Sequence, residues 1–382
     1  MGFHEFSSPY DWSRIAAYKR TAKAAFGGMI DLSVGSPVDP VPDSVRKALA
    51  VAANDPNAYG YPATAGTADL RAAIAEWFSA TRNVDLRAIH ADVVPTVGSK
   101  EGVALMASLL HFGEDDVVVQ PKVSYPTYEI GTQLAGAQVL KVDDVADVAS
   151  WRNVPGVKAV WVNSPCNPTG EVYSAERMAG IVAAAREIGA VVLSDECYAL
   201  MQWRGATNSA DDDPLQSTPC ALRSDVCAGS AEGVLVLYSL SKQSNMAGYR
   251  TAFIAGDESL IASMSAYRKQ IGQIIPGPAQ AAMAAGLRDL ESVKVQHACY
   301  RERLGVLVSA LRAYGYCTDM PDGALYVWVR AKSGDCWTDM EQLAKIGIIA
   351  SPGEFYGAPE CLRFSATASD EAIASAAERL AR

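Results

Sequence analysis

The chain has 382 residues, 49% of them hydrophobic and 20% charged, with a formal net charge of −10. That is enough chain to bury a large core, and with no basic excess to neutralise phosphates it is not expected to bind nucleic acid. No run approaches the roughly 20 apolar residues needed to cross a bilayer, so no membrane partner is expected either.

In chain order, SRIAAYKRTAKAAF from Ser13 reads as a helix with Ser13 as its N-cap, and MIDLSV as a short strand. Gly35 follows in a Gly-Ser-Pro turn where the backbone can approach a ligand closely. A helix is expected over Val45–Ala53. Tyr59 and Tyr61 lie in a loop before a second helix from about Thr67, with Leu70, Ile74, Trp77 and Phe78 on one face. The strand Val93–Val97 then runs into Gly98-Ser99-Lys100 and a helix, an arrangement that aims backbone N–H groups at an anion. Strands and helices alternate from there: DDVVVQ, a helix around Tyr128–Ala135, AQVLKV, KAVWVN, a helix over Ser174–Ile188, AVVLSD and VLVLYS, with 206–219 as a polar loop. This rhythm predicts an α/β fold, a mostly parallel sheet with helices on both faces and its sites beyond the carboxyl ends of the strands.

After the Pro276-Gly277-Pro278 break the pattern changes. One long helix, with room for a bend, is expected from Pro278 into the early 310s. Short strands follow at GYCTD, ALYVWVRA, GIIASPG and CLRFSAT, and a last helix begins near Asp370. The expected organisation is an N-terminal arm and part of a small domain over 1–44, a large domain over 45–277 and a smaller α+β domain over 278–382.

The most informative stretch is Val234–Arg250. A fully apolar strand empties into a polar segment holding Ser239, Ser241, Lys242 and Arg250. A lysine at the end of a buried strand sits near low-dielectric surroundings that lower its pKa and leave its amine nucleophilic, able to form a Schiff base. Ser239 and Arg250 are suited to a phosphate, the arginine by a two-pronged contact. Aldehyde and phosphate together indicate pyridoxal 5′-phosphate as cofactor. Eight cysteines, at 166, 197, 220, 227, 299, 317, 336 and 361, form no C-x-x-C pair, and the four histidines do not cluster, so no metal is expected. The opening MGFHEFSSPYDW lacks the plan of a secretory leader, and a cytoplasmic location is expected.

Six motifs in this order, VGSKEG, SYPTY, NSPCNPTG, SDECY, SLSKQSNMAGYR and LRFSAT, resemble the class I/II aminotransferases of pyridoxal-phosphate fold type I across nearly the whole chain. The resemblance implies a seven-stranded, mostly parallel sheet in the large domain. It implies Lys242 as the Schiff-base lysine, Asp195 as the carboxylate on the pyridine nitrogen, and Tyr198 and Asn167 as donors to the ring oxygen. It further implies Tyr125 stacked on the ring, Gly98, Ser99, Lys100, Ser239 and Arg250 around the phosphate, and Arg363, with Gly35 and Asn167, on the substrate carboxylate. Tyr61 matches a tyrosine that reaches the phosphate of a neighbouring subunit, implying a homodimer with shared sites.

The implied reaction is ping-pong amino transfer. An amino donor displaces Lys242, the freed amine moves the Cα proton, an oxo acid leaves, and a second oxo acid reverses the sequence. The N-terminal text, with YRKQIGQIIPGPAQ and GALYVWVRAKSGDCW, is similar to the actinobacterial succinyldiaminopimelate aminotransferases. That implies glutamate as donor and a second cation for a distal carboxylate, with Lys269, Arg268, Lys19 and Lys100 as candidates. A broad aspartate or aromatic aminotransferase and a C–S β-lyase share the same motifs. A ligand-sensing domain of this fold would bring a DNA-binding domain, for which the roughly 30 residues before the first strand are too few. A nicotinamide dehydrogenase would need a G-x-G-x-x-G after a strand, and none occurs.

Overall fold

The computed structural model describes residues 11–56, 58–203, 215 and 218–382; the polar loop expected at 206–219 lies largely outside them. Among the described residues twelve strands follow one another: β1 Ile30–Asp31, β2 Ala91–Val97, β3 Val117–Pro121, β4 Gln138–Val142, β5 Val157–Asn163, β6 Val191–Asp195, β7 Val234–Ser239, β8 Thr251–Asp257, β9 Tyr326–Arg330, β10 Ile348–Ile349, β11 Ser351–Pro352 and β12 Cys361–Ser365. The large sheet has seven strands in the order β2-β8-β7-β6-β5-β3-β4. Its pairs are parallel except at β8, which runs against both β2 and β7.

Period-two alternation inside continuous apolar runs covers both faces of this sheet. In β7, Val234, Val236 and Tyr238 join Trp77, Phe78 and Phe253 on one side. Leu235 and Leu237 join Val103, Met106, Tyr128 and Trp161 on the other. Each such fully buried side chain contributes about 1.5–3 kcal/mol, so the middle of the sheet is a rigid support. β8, the apolar run TAFIAGD, is missing from the strands read off the sequence, because it begins immediately after the polar Lys242–Arg250 segment.

A third core gathers Ile15, Ala22, Ile30 and Leu32 from the N-terminal segment with Tyr300, Leu304, Tyr326, Ile348, Leu362, Phe364 and Ile373. Its sheets are β11-β12-β9, all antiparallel, and the parallel pair β1-β10.

Three local expectations are corrected. The first helix is capped by Asp11, which accepts from Ser13 N at 2.8 Å, and Ser13 itself lies inside a 3-10 turn over Trp12–Ile15. The long helix is two helices, Gly277–Arg288 and Leu290–Ala313, parted at Asp289, whose carboxylate caps the second by accepting from Ser292 N at 3.0 Å. GYCTD forms no strand. Gly315 turns the chain at φ 100°, and the Thr318 carbonyl is taken at 2.6 Å by the Arg312 side chain in place of a neighbouring strand.

Candidate active site

The carboxyl ends of the parallel strands are brought level by their register. Asn163 at the end of β5 lies beside Asp195 at the end of β6, and Asp195 lies beside Leu237, two residues before Ser239. β8 enters from the same side, pairing Thr251 with Val97, so Arg250 stands over the end of β2. A pocket of about 420 Å³ opens there, lined by Ser99, Lys100, Tyr125, Asn167, Asp195, Tyr198, Ser239, Lys242, Arg250, Arg363 and Gly35 among others. The sequence candidates therefore converge, with two exceptions. Gly98 is buried just beneath the lining, and Tyr61 stands fully exposed at 103% relative accessibility, outside this chain's pocket.

Lys242 sits in a one-turn helix, Leu240–Gln243, rather than a loop; Ser239 starts that turn by accepting from Ser241 N at 3.1 Å. The lysine amine donates to the Gly35 carbonyl, and burial pulls its pKa below the ordinary lysine value. Asp195 is held by Tyr128, whose hydroxyl donates to Oδ2 at 2.8 Å, and by Cys197 N, which donates to Oδ1 at 3.2 Å. Burial raises its pKa, opposed by those two donors, and no cation pairs with it among the described residues. Beneath it, Arg82 and Glu196 form an ion pair with side chains at 0% and 1% accessibility.

At the end of β2, Gly98 adopts φ 78° before the helix Ser99–Leu109, and a Cβ there would meet Arg250 Cζ at 2.6 Å. Among the described residues Arg250, itself at φ 55°, donates only to the carbonyls of Ala247, at 2.8 Å, and Val97, at 3.4 Å. At the opposite wall Arg363, 4% exposed, donates to Asn167 Oδ1 and to the Ser33 carbonyl, both at 2.7 Å, while its buried Nε has no partner. Its guanidinium lies 4.0 Å from the ring of Tyr326 and 4.7 Å from that of Tyr356.

Of the distal-cation candidates only Lys100 lines the pocket. Arg268 is buried in a pair with Glu101 at 2.8 Å, and Lys19 pairs with Asp31 at 2.8 Å. Residues missed by sequence reading are Tyr128 behind Asp195, and Trp12, Tyr326, Phe355 and Tyr356, which build an aromatic wall. SYPTY contained Tyr128, but nothing in that motif tells which tyrosine points under the sheet end.

The family model of aminotransferase class I and II matches residues 27–380, and the chain belongs to that family, whose cofactor is pyridoxal 5′-phosphate. It is 39% identical over 373 residues, 97% of this chain and 98% of the relative, to the 4-dedimethylamino-4-oxo-anhydrotetracycline transaminase OxyQ of Streptomyces rimosus. It is 39% identical to the probable aminotransferase Rv1178 of Mycobacterium tuberculosis, over 97% of this chain and 84% of that one. Among solved structures, the probable N-succinyldiaminopimelate aminotransferase of Thermus thermophilus superposes with a TM-score of 0.84 at 27% identity, covering 97% and 99% of the two chains.

The residues present fit the cofactor. Among the described residues, a buried carboxylate without a cationic partner, a half-buried amine of lowered pKa, and a helix N-terminus beside an arginine bonded only to carbonyls are the acceptor, nucleophile and anion site that a pyridinium, an aldehyde and a phosphate require.

Proposed function

We propose that this aminotransferase moves an amino group between the glutamate/2-oxoglutarate pair and N-succinyl-LL-2,6-diaminopimelate with its corresponding oxo acid, as a cytoplasmic homodimer in which Tyr61 reaches the neighbouring subunit's phosphate site. The division into 1–44, 45–277 and 278–382 belongs to the same reading. The cofactor, when bound, supplies an aldehyde for the amine and a ring that delocalises the electron pair left at Cα.

This chain's own residues do the rest. The Lys242 amine, uncharged at a lower pH than an exposed lysine, would hold the cofactor through its aldehyde and would carry the Cα proton of the substrate. Asp195 would hold the ring nitrogen protonated, Tyr198 and Asn167 would donate to the ring oxygen, and Tyr125 would cover the ring. Ser99, Ser239 and Arg250, with the Gly98 turn and the Lys100 backbone, hold the phosphate. Arg363 clamps the substrate α-carboxylate and so orients the Cα–H bond.

The observation that carries the substrate reading is Lys100, a pocket-lining lysine with no ion pair among the described residues, available to a distal carboxylate. The test is a panel of oxo acids with glutamate as donor. The succinylated oxo acid should be aminated with the highest kcat/KM, with ping-pong kinetics. The aromatic wall of Trp12, Phe355 and Tyr356 favours a second reading, a broad aspartate or aromatic aminotransferase, which the same panel would reveal by faster turnover of phenylpyruvate or oxaloacetate. Release of ammonia and pyruvate from a cystathionine-like substrate would indicate the β-lyase.

A further inference from the structure

Tyr326 bridges the two walls of the site. Its hydroxyl lies 2.6 Å from that of Tyr198, and its ring carries the Arg363 guanidinium at 4.0 Å. It is 2% exposed, and its position is fixed from three sides. The register of β9 against β12 pairs it with Ser365. The backbone just before it is pinned to two loops of the large sheet, Gly323 N donating to the Gly170 carbonyl at 2.8 Å and Ala324 N to the Met201 carbonyl at 2.9 Å. Gly35 closes the third side: a Cβ there would meet Tyr326 Cε1 at 2.9 Å and Cζ at 3.0 Å, so residue 35 lacks a side chain where the tyrosine needs room.

A phenol has one proton to give. If Tyr198 gives its proton to the cofactor's ring oxygen, the 2.6 Å contact is satisfied only with Tyr326 as donor to Tyr198. We propose that Tyr326 is a positioning residue acting on both substrates of the half-reactions: its hydroxyl commits Tyr198's proton to the ring oxygen, and its ring face holds Arg363 in place for the α-carboxylate. This rests on the roles given above to Tyr198 and Arg363. Donation from Tyr326 polarises the Tyr198 O–H and makes it the better donor, which favours the deprotonated ring oxygen and lowers the pH at which the lysine-bound chromophore loses its proton. The other groups facing this point are Asp195 and Cys197 from the end of β6, Lys242 from the turn after β7, Arg250 from the start of β8, Arg363 from β12, and Tyr125 and Tyr356. None of them is chemically altered by Tyr326→Phe.

The experiment is a pH titration of the visible absorption of the reconstituted holoenzyme, with steady-state kinetics alongside, for Tyr326→Phe, Tyr326→Leu, Tyr198→Phe and the Tyr198→Phe/Tyr326→Phe double variant. Tyr198→Phe should raise the chromophore's midpoint clearly. Tyr326→Phe should raise it by a smaller amount, about 0.3–0.5, with KM unchanged, and the double variant should match Tyr198→Phe alone. Tyr326→Leu, which also removes the ring, should in addition raise KM for both the amino donor and the oxo acid about tenfold. A midpoint unmoved in Tyr198→Phe would mean that Tyr198 does not serve the ring oxygen, and the underlying reading fails. A midpoint moved in Tyr198→Phe but not in Tyr326→Phe, or a double variant that sums the two shifts, would overturn the relay itself.

Discussion

The two arginines of the pocket make an instructive pair. Arg250 stands at the end of the seven-stranded sheet, in a left-handed backbone conformation, bonded only to carbonyls and partly open to solvent. Arg363 lies in the middle of β12, inside the second sheet, 4% exposed, between two tyrosine rings and the Asn167 amide. The first is placed by a turn and the second by packing. A guanidinium held by a turn offers its donors to whatever anion arrives, whereas one sandwiched by rings and fixed by two hydrogen bonds presents a set direction. Under the roles proposed above, that is the difference between retaining a cofactor's phosphate and orienting a carboxylate for reaction.

The comparison can be broken or sharpened by substitution. The largest effect is expected away from both arginines, at the amine between them. Lys242→Ala should lower kcat by about 10⁴-fold or more, since it removes the proton carrier as well as the nucleophile, and the lysine-linked visible band should vanish. In the absence of cofactor the same site has a pH signature. Because the folded-state pKa of Lys242 is depressed, the unfolded chain binds more protons between the folded and unfolded values, and stability rises with pH across that window. Cofactor-free Lys242→Met should therefore melt higher than the cofactor-free parent at pH 7, with the gain shrinking toward the ordinary lysine value near 10.4.

Next in size is the support under the large sheet. Arg82→Ala strands the Glu196 carboxylate in the core and should cost about 3–5 kcal/mol in denaturant unfolding. The paired test of the comparison comes third. Arg363→Ala should lower kcat/KM by about 10²-fold, mainly through KM for both substrates, while the holoenzyme keeps its cofactor on dialysis. Arg250→Ala should do the reverse, losing cofactor on dialysis with KM near that of the parent. Exchanged outcomes would mean that the two sites carry each other's ligands.

Gly35→Ala should cost about 1–3 kcal/mol through forced displacement of the Tyr326 ring, read as a lower melting temperature and a raised KM. The smallest effect is expected at Tyr128→Phe. Loss of its hydrogen bond should raise the Asp195 pKa further and reduce kcat about tenfold, seen as a narrower acid limb of the pH–rate profile.

How far the sequence could be read follows the same division. Residues that close a parallel strand, such as Asp195, Ser239 and Lys242, follow local apolar runs, so both the strand and the chemistry at its end are visible in one short window. Arg363 was found only because its motif resembles one in a known family; its surroundings come from β9, the Ser33 backbone and the 3-10 turn at Gly353–Tyr356, which are distant in sequence. Tyr326 reads as an ordinary apolar strand residue. Trp12 lies just before the helix read from Ser13, with nothing in the sequence to single it out, and its packing on Phe355, with ring centroids 5.0 Å apart, carries it to the pocket. The distal-cation candidates fared poorly because the charge of Arg268 or Lys19 says nothing of the carboxylate already bonded to it.

The sequence by itself determined the alternation of strands and helices, the order of the motifs and the place of Lys242 just past a buried strand, because each is written in a local period or a contiguous stretch. The tertiary structure alone decided which tyrosine stands behind Asp195, which lysine still faces the pocket, and that a residue of the second sheet touches Tyr198 and Arg363 at once. Those facts depend on strand register and on which polar groups are already satisfied, and both are settled only when distant segments pack together.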